Sequence, residues 1–68
     1  MTVARISEIS STSPESFEAA IQQGILRATK TLRHVRGAWI KDQRVEVSEE
    51  GKITAYQVNM LITFVLEE

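Results

Sequence analysis

Between Tyr56 and Leu66 the chain is apolar in both phases of a strand. One alternating set reads Tyr56, Val58, Met60, Ile62, Phe64, Leu66. The other reads Gln57, Asn59, Leu61, Thr63, Val65, polar at its start and apolar toward its end. Successive strand residues point to opposite sides, so the pattern predicts a strand over 53–66 with two faces to cover. A different period precedes it. Phe17, Ala20, Ile21, Gly24, Ile25, Ala28 and Leu32 follow i, i+3, i+4, i+7 spacing, with Glu18, Gln22, Gln23, Arg27 and Lys30 on the opposite side. Ser13 as N-cap, Pro14 at the first helical position and Glu15 at the positive end of the dipole predict a helix over 14–33. Gly24 on its buried side costs about 1 kcal/mol relative to alanine, which points to a close approach of helix to sheet.

Two further strands flank the helix. Val3 to Ile9 is a strand with weak face preference, and Val35 to Val47 is a long one, β-branched and carrying Trp39. Ser48-Glu49-Glu50-Gly51-Lys52 forms a polar turn that makes a hairpin of the last two strands. The order is β-α-β-β, an α+β class. The helix runs back along strand 1, so strands 1 and 2 point the same way and strand 3 opposes both. Placing strand 3 centrally, in the order 1-3-2, makes every pairing antiparallel. In strand 2, Ala38 and Ile40 share one parity while Val45 and Val47 share the other, which a bulge near residues 42–44 reconciles. With Ala38 and Ile40 toward the helix, Gly37 and Trp39 turn outward. They join Gln57 and Leu61 on a face that nothing in the chain covers.

Size sharpens that point. The 68 residues make one domain, 1–68, and below roughly 70–80 residues a single core seldom suffices without disulfides, a metal or oligomerisation. There is no cysteine and only one histidine, so disulfides and a thiolate zinc site are excluded. Oligomerisation is the device left, and other copies of the chain are the expected cover for the second face. The formal net charge is −1, from eight basic and nine acidic side chains. That balance supplies no long-range attraction to nucleic acid or to an anionic membrane. No apolar run has signal or membrane-spanning length. A cytoplasmic protein without nucleic-acid or membrane partners is the expectation.

Chemistry is sparse. His34 sits in the helix-to-strand turn with no serine or cysteine nucleophile placed for it, the serines lack a glycine elbow, and the three glycines are too scattered to form a phosphate loop. A non-enzyme is expected. Acidic pairs at Glu49-Glu50 and Glu67-Glu68 suit solvated turns and tails, or, gathered from several copies at a symmetry axis, a hard cation such as calcium. Trp39 has two readings. It fills an interface between copies, or its indole stacks on a planar heterocycle, with the Gln57 amide reading a ring edge that both donates and accepts and Arg44 facing a phosphate.

The stretch Thr12-Ser13-Pro14-Glu15-Ser16-Phe17, the helix Ala19-Ala20-Ile21…Ala28…Thr31-Leu32, Ala38…Asp42-Gln43, Tyr56-Gln57 and Phe64-Val65-Leu66-Glu67 together resemble dodecins over nearly the whole length. The resemblance implies a small non-catalytic protein that assembles into a hollow homo-dodecamer and sequesters flavin (riboflavin, FMN or FAD), stacked between tryptophans. Some dodecins also hold coenzyme A, and one branch binds calcium. Carried over by position, Gln57 matches the glutamine at the isoalloxazine edge and Arg44 a basic residue of many bacterial members. The stacking position falls on Gly37, with Trp39 two residues later, and another basic position of the bacterial flavin binders is Val65. A two-residue offset keeps strand parity, so Trp39 projects from the same side, ~6.6–6.8 Å further along.

Overall fold

The computed structural model describes residues 2–66. The elements run β1 (Ala4–Ser13), α1 (Phe17–Ala28), β2 (Val35–Val47) and β3 (Ile53–Val65). They form one three-stranded sheet in the order β1-β3-β2, and both pairings are antiparallel. The β-α-β-β topology with a central third strand is as the periodicities predict.

The central strand organises the core. Val58, Met60 and Ile62 are fully buried and form a cluster with Ala20 and Ala28 of the helix. Ile9, Phe17, Ile21, Ile25, Leu32, Val35 and Ile40 pack around them. The alternate residues Gln57, Asn59, Leu61, Thr63 and Val65 are only half-buried, because α1 lies against the other face alone. Each fully buried aliphatic contributes on the order of 1.5–3 kcal/mol, so three consecutive same-face positions of β3 carry much of the fold.

Gly24 explains how close the layers come. A Cβ there would stand 2.5 Å from Cε of Met60 and 3.0 Å from Cβ of Ser11. A glycine here lets α1 sit this near β1 and β3 without displacing the Met60 terminus or crowding Ser11, as its place on the buried helical face suggests.

The helix is shorter than the expected 14–33 at both ends. Its N-cap is Ser16, not Ser13: the Ser16 hydroxyl accepts from the Ala19 backbone N–H at 2.9 Å. Ser13 is instead the last residue of β1, buried, and its Oγ accepts from the Glu15 N–H at 3.0 Å. That side-chain turn bends Pro14-Glu15 away from the strand before the helix begins. Glu18, in place of Glu15, is the acidic residue of the first turn. At the other end, the Thr29 hydroxyl donates to the Leu26 carbonyl (2.7 Å) and that of Thr31 to the Ala28 carbonyl (3.4 Å). Such local bonds compete with helix continuation. The chain instead turns, the Leu32 N–H bonding to the Ala28 carbonyl, and swings into β2 through His34 at φ 62°, a left-handed conformation uncommon outside glycine.

β1 runs four residues beyond the expected Val3–Ile9. Its Ser and Thr stretch reads as punctuation by composition, yet Ser11 and Ser13 pair opposite Val58 and Tyr56. There, small side chains are what the close helix permits. β3 ends at Val65, one residue short of Leu66, and the tail pair Glu67-Glu68 lies outside the described residues. The parity conflict in β2 is resolved by a register shift between Ile40 and Asp42, just before the expected 42–44, with further shifts between Val35 and Gly37 and between Glu46 and Val47. Ala38 shares the helix-facing register with Ile62 but stays exposed. The reason is that α1 packs mainly on β1 and β3 and hardly reaches β2.

Candidate functional site

The uncovered face of the sheet is a set of cross-strand rows. Gln57 on β3 lies between Thr12 of β1 and Arg44 of β2. Asn59 lies between Ser10 and Asp42, Leu61 between Glu8 and Trp39, and Thr63 between Ile6 and Gly37. The strand register therefore grades this face from polar, at the Gln57 end, to apolar, at the Trp39 end. Trp39 is 69% exposed and Ile6 61%, a large apolar surface left open by one copy.

Of the residues expected to act together, the fold brings together Gln57 and Arg44, which are direct cross-strand neighbours. Trp39 shares their face but not their row. Leu61, its partner, is four residues from Gln57 along β3, about 14 Å at strand rise. Gly37, opposite Thr63, is farther still. A planar ligand touching both residues either spans that separation or takes the two residues from different copies.

Gln57 is held in place. Its Nε2 donates to Ser10 Oγ at 2.8 Å, which fixes the amide orientation and leaves its carbonyl oxygen as an acceptor. Lys41, the residue skipped at the register shift, donates from Nζ to Oε2 of Glu8 at 3.2 Å. This ion pair links the two edge strands. It separates the Trp39–Leu61–Ile6 surface from the Gln57–Arg44 surface. Ser10, Glu8 and Lys41 did not emerge from sequence patterns. Extending β1 through Ser13 would have put Ser10 on the Gln57 face, but its serines read as a capping segment. The Lys41–Glu8 contact spans 33 positions and depends on a bulge whose place the pattern gives only to within a few residues.

Among the described residues no group of three His, Cys, Asp or Glu side chains lies together to hold a metal ion. Carboxylates from several copies would be needed for a cation. No helix among those residues is long and apolar enough to cross a membrane.

A single helix on one side of a 1-3-2 antiparallel sheet, with an exposed indole and an anchored glutamine on the other, defines a small class of half-covered β-α-β-β proteins. Within it, the family model described as Dodecin matches residues 3–67, and the chain belongs to the dodecin family. It is 44% identical over 61 residues to a dodecin of Thermus thermophilus, covering 90% of this chain and 87% of that protein. It is 33% identical over 64 residues to the calcium dodecin of Mycobacterium tuberculosis, covering 94% and 89%. The crystal structure of a T. thermophilus protein superposes with a TM-score of 0.91 at 41% identity, covering 100% of this chain and 98% of that one.

Proposed function

We propose that this chain assembles into a hollow homo-dodecamer that binds and sequesters flavin without catalysing a reaction. The observation that carries the reading is the exposed face: Trp39 is open at one end, and Gln57, bonded to Ser10 and flanked by Arg44, stands ready at the other. Dodecin membership supports both the assembly and the ligand class. When copies meet across this face, the indole of one stacks on the ring while Gln57 of another reads its edge, and Arg44 faces the phosphate of FMN or FAD. Gly37, at the position where the family resemblance places a stacking residue, leaves open space beside it. Titration with riboflavin and FMN tests the ligand. Quenching of flavin fluorescence at micromolar protein is expected, and undiminished emission overturns the reading. Light scattering tests the assembly, with a mass near twelve times 7.7 kDa expected and a monomer overturning it.

A second reading has its own support in the calcium dodecin relative and in Gly37 at the stacking position. In it the shell holds calcium through carboxylates gathered from several copies, and flavin is not its cargo. A colourless preparation whose melting temperature rises with calcium but not with flavin selects this alternative. Coenzyme A is a third ligand that the family resemblance brings into the same titrations.

A further inference from the structure

The sheet outruns the helix that covers it. The molecule extends 53 Å along its longest axis, whereas the 12 residues of α1 span about 18 Å. The hairpin end of β2 and β3 therefore projects as an arm. Val47 and Ile53 pair on this arm and remain 57% and 51% exposed, so the arm carries apolar side chains that the chain's own helix does not reach. Its end is acidic: Glu46, Glu49 and Glu50 stand against Lys52 alone.

The opposite edge of the sheet has a matching feature. Between α1 and β1 runs an open groove of about 810 Å³, apolar along Ile9, Leu26 and Leu32 and rimmed by Arg27 and Lys30. The one ion pair among the described residues joins Lys41 to Glu8, so these two cations face no described carboxylate. β1 pairs with β3 on one side and leaves its other backbone edge free, a surface that proteins normally cover. The chain's own arm belongs to β2 and β3, across the sheet from this edge, and does not turn back onto it.

We propose that the β2–β3 arm of one copy seats in the α1/β1 groove of a neighbouring copy, with its acidic tip against Arg27 and Lys30. The inference rests on the self-assembly reading above and names the contact that would build the assembly. The direction follows from topology. α1 runs back along β1, so Arg27 and Lys30 lie toward the Ser7 end. An incoming β2 antiparallel to β1 brings residues 48–50 to that end and lays Val47 along the groove. Complementary charge then orients the partner and, at low salt, adds to how tightly it is held.

Three variants test the contact by light scattering at low salt, each checked for helix content by circular dichroism. E49K/E50K and R27E/K30E are each expected to reduce the mass to smaller species with the helical signal kept. The fourfold variant R27E/K30E/E49K/E50K restores complementarity at every contact, whatever the symmetry, and is expected to recover the wild-type mass. Reversals that leave the mass unchanged overturn the contact, as does a fourfold variant that stays as dissociated as the double ones. Where a reversal costs the fold, E49Q/E50Q keeps side-chain shape. It is expected to dissociate at higher protein concentration than wild type, and an unchanged midpoint overturns the proposal. A monomeric wild type overturns the self-assembly reading itself, and is thereby distinguished from an assembled wild type that ignores the reversals.

Discussion

The two faces of β3 teach different things about the same strand. On one, Val58, Met60 and Ile62 are fully buried under a helix brought close by Gly24. On the other, Gln57, Asn59 and Leu61 are only half-buried, and Trp39, the cross-strand neighbour of Leu61, is 69% exposed. The first face is complete in one copy, so its residues answer to packing within the chain. The second is incomplete, and its residues answer to what meets it from outside. Substitutions on the two faces should therefore separate by readout: fold stability on the inner side, assembly and ligand on the outer.

The largest effects belong inside. Met60→Ala removes a fully buried side chain from the core centre and is expected to cost about 2–5 kcal/mol, read as a lowered denaturation midpoint with loss of helix signal. Gly24→Ala sharpens the same point. Alanine gains about 1 kcal/mol of helix propensity, but the new Cβ meets Met60 Cε at 2.5 Å and Ser11 Cβ at 3.0 Å, an overpacking that costs about 1–3 kcal/mol. The Met60 terminus can swing aside but Ser11 Cβ cannot, so a net destabilisation of at most about 2 kcal/mol is expected. Adding Met60→Leu, which withdraws the Cε, should recover part of it in a double-mutant cycle, and strict additivity would contradict the close-approach account.

On the outer face, Leu61→Glu is expected to break assembly while leaving helix content nearly intact. Leu61 lies between Glu8 and Trp39, so a carboxylate there puts a second negative charge beside Glu8 in the contact zone between copies. Scattering should give small species, with circular dichroism little changed. Loss of both signals together would mean that the outer face contributes to the single-chain fold after all.

The inner face was the legible one. Its period-2 and period-3.6 patterns locate β3, the helix-facing residues and the reason for Gly24, because burial in one chain writes itself into residue type. The helix ends were less legible. Ser13-Pro14-Glu15 and Ser16 offer two capping serines, and the decision between them depends on how far β1 runs under the helix, a tertiary fact. Ala38 shows the same limit: its parity is right, but the helix barely reaches β2 and leaves this position uncovered. On the outer face, side and row are different questions. Parity places Trp39 and Gln57 on one side, but the four-residue separation along β3 appears only with the register.

Ligand contacts should show smaller steps than the core. Trp39→Ala is expected to weaken flavin binding by roughly tenfold, since stacking contributes about 0.5–1.5 kcal/mol beyond the area it covers. Gln57→Ala, removing one neutral edge contact of about 0.5–1.5 kcal/mol without the area term, should weaken it several-fold. Fluorescence titration measures both. Because the two side chains stand in different rows of one copy, a variant that assembles poorly should lose binding even with both residues present. Flavin quenching by a dissociated Leu61→Glu protein at wild-type affinity would contradict a site built between copies.

The smallest step lies at the boundary between the two halves of the outer face. The Lys41–Glu8 pair is 3.2 Å long with both side chains about half exposed (51% each). Screening and the entropy of holding two long side chains leave such a pair about 0–1 kcal/mol. Glu8→Gln is therefore expected to lower the melting temperature only slightly, and by less as salt is raised, because salt already weakens the wild-type pair. Its effect on ligand is a different matter. The pair crosses the face between Leu61 and Asn59, so breaking it leaves the Lys41 ammonium unpaired on the face that also carries Arg44. Binding of phosphate-bearing FMN should then rise relative to riboflavin. Measuring both flavins with the Glu8→Gln protein at two salt concentrations checks this. An equal change for both would mean that the released ammonium does not face the phosphate, and that the pair only ties the two edge strands together.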